Sequence, residues 1–257
     1  MYKSIALCIG LVLFMQKCMS GGSVTERKAV LADSTSFYSI SVEYPEENRD
    51  KEQAMRAFVM DRYQAKKEEW KVGGPVYEEE RKVTRAFPDR AEIRYTFDMG
   101  FERFPADSLG TVSYLFTTYE YTGGANGNTF VNSYCFSKDK RQVKIEEILD
   151  FSAHKDIRLS RVLAERALSD TTLFFKDFVE PGLGLAYLKP DGVTLDKEKC
   201  QCDGFFFGSN FQNFVVEDRG LTFYFDKYTI APGAAGMTHI TLSWEDLRPY
   251  LKKPLPF

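Results

Sequence analysis

Residues 91–121 of this chain alternate. From Ala91 to Phe101 every second residue is apolar, through Ile93, Tyr95, Phe97, Met99 and Phe101, and Thr111 to Tyr121 repeats the pattern through Val112, Tyr114 and Phe116. Successive side chains of a strand point to opposite faces, so a two-residue period predicts extended chain with one face on a core. A third tract, Thr129 to Phe136, carries Val131, Tyr134 and Phe136. Between the last two lies Thr122-Gly123-Gly124-Ala125-Asn126-Gly127-Asn128. Gly and Asn supply positive φ angles at little cost, so this segment predicts a hairpin loop.

Helical spacing flanks this strand-rich block. Ser36 to Tyr44 alternates as a strand, and Lys51 to Trp70 then places Met55, Phe58, Val59, Arg62 and Tyr63 on one helix face, ending at Gly73-Gly74-Pro75. Beyond Lys144 the sequence predicts a helical turn at Ile145 to Phe151, a helix at Ile157 to Leu168 and its extension through Thr171 to Val179. Strands are expected at Phe205 to Phe207, Phe211 to Val216, Leu221 to Phe225 and Thr238 to Leu242, with a small-residue loop at 230–236. Ser243 is placed to N-cap a last short helix, with Asp246 as its box partner. Strands and helices come in runs, so the class is α+β: antiparallel sheets with packed helices.

Composition narrows the partners. Phe and Tyr number 22 and 14 in 257 residues, an aromatic content that suits strands and contact surfaces. Net charge is −3, which argues against a nucleic acid backbone as partner.

The first residues give an address. Met1-Tyr2-Lys3 is a short basic start, and Ile5 to Met15 is an apolar run broken only by Cys8 and Gly10. That run is too short for a permanent membrane span and fits a signal segment. Cys18 follows it where a bacterial lipoprotein signal places the acylated cysteine, although Gln16 and Lys17 replace the usual small residues. The expectation is a lipoprotein-type signal over 1–18 with lipidation at Cys18, a polar tether over 19–35, and an extracytoplasmic body held at a bacterial membrane. An ordinary cleaved signal is the alternative. Of the remaining cysteines, Cys200 and Cys202 are too cramped for an easy disulfide, because bridged Cα atoms stand about 5.5 Å apart. Pairing of Cys135 with either one stays open. No metal is expected, since the spacing is not CxxC and only His154 and His239 are present to complete a site.

Little here points to catalysis or a cofactor. The Gly-rich loop has no lysine and precedes a strand, so it lacks what a phosphate loop needs. No GxSxG occurs, His154 sits among charged residues, and His239 lies in an amphipathic strand. The carboxylates Glu146/Glu147 and Glu78 to Glu80 fit solvated faces. The chain is expected to be no enzyme and to need no cofactor.

Two stretches carry a resemblance. Tyr119-Glu120-Tyr121-Thr122-Gly123-Gly124-Ala125-Asn126-Gly127-Asn128-Thr129 resembles the signature hairpin of the exported domain shared by the anti-sigma factor RsiV and the peptidoglycan deacetylase PdaC. Phe223 to Leu251 resembles the end of that unit: a strand, a Tyr-x-Ile-Ala-Pro-x-Ala-Ala-Gly loop (Tyr228 to Gly236), a strand and a helix to Tyr250-Leu251. The resemblance spans roughly 36–251 and implies an extracytoplasmic α+β module in two sub-parts (36–140 and 141–257 here), one exported unit with no catalytic centre of its own. In RsiV-like proteins that module recognises lysozyme; in PdaC-like proteins it precedes a separate deacetylase domain. Asn126 stands where that family often has His. Neither role is expected to carry over: no sigma-binding segment is expected ahead of the signal, and His154 and His239 do not make the metal-binding His clusters of a deacetylase.

The expected function is therefore a lipid-anchored cell-envelope binding module for a protein (lysozyme-like) or a wall glycan (a peptidoglycan fragment). The alternatives are an envelope-polymer hydrolase and a structural or assembly lipoprotein without a small ligand. Candidate ligand contacts lie on the two loops: Tyr119, Tyr121, Gly123, Gly124, Asn126, Asn128, Tyr228 and Pro232.

Overall fold

The alternating tracts build two sheets in a computed structural model that describes residues 27–46, 49–89, 92–200 and 205–257, the side chains of 49–52 excepted. The larger sheet has six strands in chain order: β1 (Lys28–Ser34), β2 (Tyr38–Pro45), β3 (Tyr95–Ala106), β4 (Thr111–Tyr121), β5 (Asn128–Ser137) and β6 (Gln142–Val143). Neighbours are antiparallel except β2 and β3, which run parallel. A parallel pair needs a long crossover, and helices α1 (Arg49–Glu69) and α2 (Pro75–Ala86) lie in it.

Helix α1 covers one face of this sheet. Ile40, Val42, Phe97, Met99 and Phe116 point toward it and form a core with Met55, Val59, Tyr63 and Trp70. Helix α2 begins where the sequence predicted only a helix end. Pro75 occupies its first turn, where a missing N–H costs nothing, so the Gly-Gly-Pro stop for one helix also starts the next.

The second sheet is smaller: β7 (Phe214–Glu217), β8 (Gly220–Phe225) and β9 (Thr238–Ser243), all antiparallel. Its inner face packs with α3 (Ile145–Ile148), α4 (Lys155–Leu168), α5 (Lys176–Gly182) and α6 (Trp244–Leu247) around Leu159, Leu163, Val179, Phe211, Phe223 and Leu242. Ser243 caps α6 by accepting from Asp246 N at 3.1 Å, while Asp246 accepts from Ser243 N, the box expected from sequence. The class is α+β, as the run order predicted.

Strand β7 ties the sheets together. Val215 packs on Leu115 and Val131 of the first sheet. Val216 N donates to Ser113 Oγ at 2.9 Å, and Phe214 N donates to Ser133 Oγ at 2.7 Å. Two hydroxyls of one sheet thus satisfy edge N–H groups of the other, which would otherwise be buried without partners.

Four expectations need correction. The tether assigned to 19–35 ends sooner, because 28–34 form β1. Its Ala29, Leu31 and Asp33 are half-buried while Lys28, Val30, Ala32 and Ser34 are exposed, and pairing with β2 orders a stretch too small and polar to signal a strand by itself. Phe205 to Phe207 is no strand; a 3-10 turn over Phe207–Phe211 buries Phe207 and Phe211 from one side instead. Strand β6 joins β5, so the first sheet runs past residue 140. Cys200 is disulfide-bonded and Cys135 is a buried thiol, so no bridge joins those two; the partner of Cys200 lies outside the described residues, as do Cys202, Cys8 and Cys18.

Candidate functional site

Among the described residues, the face of the large sheet opposite α1 is covered at one end. There β7 lies against β3, β4 and β5, over Phe104, Leu115 and Val131. Toward the other end, strand register sets Ala32, Ser41, Asp98, Tyr119 and Thr129 side by side in one row across five strands. A second row holds Ser34, Ser39, Thr96 and Tyr121, and Gly100 pairs with Thr117 beside the first. None of these residues is buried. Cross-strand neighbours share a face, so the result is a shallow platform of small polar side chains with two tyrosines.

Asp98 stands in the middle of the row. Its side chain reaches solvent, yet desolvation by its surroundings holds its carboxyl above the usual carboxylate range. Tyr119 is 41% exposed and lies against Gly127, where an added Cβ would fall 2.5 Å from the ring. Glycine at 127 therefore lets the tyrosine lie flat on the hairpin. Tyr121 donates its hydroxyl to Gly124 O at 3.1 Å, and Gly123 and Gly124 take φ of 96° and 106°. Asn126 and Asn128 are exposed at the tip.

The second candidate loop meets the first. Lys227 N donates to Thr129 O at 3.1 Å, and its Nζ donates to Gly127 O at 2.7 Å. The same ammonium lies 5.0 Å from the ring centroid of Tyr228, which is 56% exposed. Tyr228 adopts φ +71° and folds over Gly233, next to the half-buried Pro232. Loops about a hundred residues apart in the chain are thus joined through Lys227. The structure brings the candidate residues into one region, at the hairpin end of the platform.

Asp226 anchors this junction. Its Oδ1 accepts from Val131 N at 2.7 Å, an edge amide of β5. Burial holds its carboxyl above the usual range, offset in part by that hydrogen bond and by the charge of Arg62. A raised folded pKa favours the fold below the unfolded value of 3.8, and that contribution is lost as pH rises through the folded value. Asparagine keeps the acceptor and never ionises. Asp226→Asn is therefore expected to be more stable than the parent at neutral pH, by under about 1 kcal/mol given solvent screening of a half-exposed group, and equal to it near about pH 3. Urea titrations at the two pH values check this; a variant weaker at neutral pH contradicts it.

The histidines stand elsewhere and both are exposed. His154 takes φ +60° ahead of α4, and His239 tilts beside Tyr224 at 5.5 Å. Among the described residues no three His, Cys, Asp or Glu side chains gather as a metal site, and no helix is long and apolar enough to cross a membrane.

Sequence reasoning missed Asp98, Gly100, Asp226 and Lys227. The first two were legible, because the alternation that buries Phe97 and Met99 must turn Asp98 and Gly100 outward. Asp226 and Lys227 act on residues of β5, and no local pattern announces that.

Residues 189–245 match the model of a protein family of unknown function, DUF3298. That stretch contains the second sheet and the loop bearing Lys227 and Tyr228, and ends in α6. Two crystal structures of DUF3298 family proteins share the fold. One, from Bacteroides fragilis NCTC 9343, is 17% identical over 89% of this chain and 94% of its own, with a TM-score of 0.56. The other, from Pseudomonas aeruginosa PAO1, is 15% identical over 90% and 96%, with a TM-score of 0.51. No curated protein matches the chain.

Proposed function

We propose that this protein is a cell-envelope binding module without catalytic chemistry of its own, and that the open half of the large sheet with its two joined loops is its contact surface. The observation that carries this reading is the platform: small polar side chains in register around Asp98, bordered by exposed Tyr119 and Tyr228 and by half-buried Tyr121. Tyrosines offer flat apolar area with a polar tip, the kind of group that dominates recognition of proteins and of sugar rings. Ligands of both kinds, a lysozyme-like protein and a wall glycan, follow from the resemblance of 119–129 and 223–251 to the RsiV/PdaC-type exported domain. Export, and a lipid on Cys18, follow from the apolar run at 5–15 and the cysteine behind it.

One experiment with two arms tests the proposal. The protein is expressed in its bacterial setting, and its membrane fraction is compared with that of Cys18→Ser, which is expected to lose membrane association. The purified protein is then passed over immobilised lysozyme and over insoluble peptidoglycan, with retention expected on one of them. Retention on neither removes both ligands; unchanged membrane association of the variant removes the lipid.

A further inference from the structure

Helix α2 turns an odd face toward the body of the protein. Residues Tyr77, Glu80, Arg81, Thr84 and Arg85 follow the i, i+3, i+4, i+7, i+8 spacing of one helical stripe, and all five line a cleft of about 560 Å³. A surface helix ordinarily packs an apolar stripe there. Here no residue of α2 is fully buried, and only Val76 and Tyr77 rest on the core. The cleft lies between this stripe, the start of β2 and the segment leading into β3. It lies beside the sheet platform and meets it where Arg94 bonds to Ser34.

Its floor is aromatic. Phe37 is 7% exposed and meets Tyr77 edge-on at 5.2 Å and Tyr95 at 4.8 Å. Ile93 adds apolar surface beside them. Its rim is cationic, with Arg81, Arg85 and Arg94 set against Glu80 and Glu92. Two of the three guanidinium groups are held in place. Arg81 lies over the Tyr77 ring at 5.7 Å and donates to its hydroxyl at 3.2 Å. Arg94 donates to Ser34 Oγ at 2.5 Å and reaches Tyr38 O at 3.5 Å. A guanidinium has five donors, so each keeps several for a ligand. One carboxylate of the rim is already engaged, since Glu80 accepts from Tyr95 Oη at 3.5 Å.

An apolar floor beside guanidinium groups, with Arg81 fixed over Tyr77 and Arg85 one turn further along the same helical stripe, selects a molecule with an apolar body and a planar anionic end. We infer that this cleft binds a small organic carboxylate, its ring or chain on Phe37 and Tyr77 and its carboxylate at Arg81 and Arg85. The carboxylate can belong to a free acid or to the C-terminal residue of a peptide. The chemistry is the same, and the cleft has room for either.

Calorimetric titration with four probes tests the inference: phenylacetate, phenylacetamide, glycyl-phenylalanine and its C-terminal amide. At least one of the two acids is expected to bind with a dissociation constant near 1 mM or below, and its amide about tenfold or more weakly. Binding of glycyl-phenylalanine alone assigns the cleft to peptide ends; binding of phenylacetate alone assigns it to free acids. The double variant Arg81→Gln/Arg85→Gln is expected to lose about tenfold or more in affinity for the acid that binds. Both positions are exposed on a helix with no buried residue, so the melting temperature should hold. No saturation by either acid up to about 10 mM, equal binding of acid and amide, or undiminished binding by the folded double variant each overturns the inference.

Discussion

Trp70→Ala is expected to lower the stability of the protein by about 3–5 kcal/mol, more than any other single truncation in the first core. Trp70 follows the last turn of α1 and is wholly buried. Its indole meets Tyr38 at 6.3 Å, Tyr95 edge-on at 5.4 Å and Phe97 at 6.4 Å, so it contacts both strands of the parallel pair. Lys66 places its ammonium 5.3 Å from the same ring while pairing with Glu120 of β4 at 2.7 Å. One side chain therefore fastens the crossover helix to β2 and β3, and the rings around it are too rigid to collapse into the space it leaves. The helix also supports β4 from behind, so loosening should reach the platform. Urea unfolding of parent and variant measures the cost. Trp244 is the comparison: it is only partly buried against the second core, and its Nε1 donates to Asp218 O at 3.0 Å. Trp244→Ala should cost less, and a reversed order contradicts this account of the core.

A second large effect is expected at Gly220. A Cβ there would lie 2.0 Å from Leu242 O and 2.9 Å from both Leu242 C and Ser243 Cα. All three atoms are backbone of β9, which pairs with β8 through this very position, so no side chain can swing away. Gly220→Ala must push the strands apart at the hairpin that carries Asp218 and Arg219, and a cost of about 3 kcal/mol is expected. Gly100→Ala is the matching control. Gly100 has nothing within 4 Å of the added carbon and an ordinary φ, so its alanine variant should stay within about 0.5 kcal/mol of the parent or gain slightly. Chemical denaturation of both variants separates close backbone approach from a general intolerance of side chains at strand glycines.

Much of the first sheet was legible because its strands are amphipathic. Phe97 and Met99 go to α1 and Asp98 goes to the platform, so a period of two states both the strand and its orientation. Strand β1 was not legible, since Ala32, Asp33 and Ser34 signal solvent and the ordering comes from β2. Helix α2 was hidden for a related reason: its inward stripe carries Arg81 and Arg85 where an apolar pattern would have marked it. At the site, the sequence pointed to Tyr119 and Tyr228 through loop chemistry, but not to their meeting. That meeting depends on Lys227 reaching Gly127 O and on Asp226 capping β5. Both are bonds between distant segments, invisible to any window along the chain.

The open sheet face is the central claim, and Gly100 offers direct access to it. A long side chain at this position meets no protein atom at its root, so Gly100→Lys should fold while covering Asp98 and Thr117. Retention of the parent, Gly100→Lys and Tyr119→Ala on immobilised lysozyme and on peptidoglycan is the decisive measurement. The account predicts that whichever ligand holds the parent loses both folded variants, with affinity reduced about tenfold or more. Equal retention of all three proteins would place the contact surface somewhere other than this face.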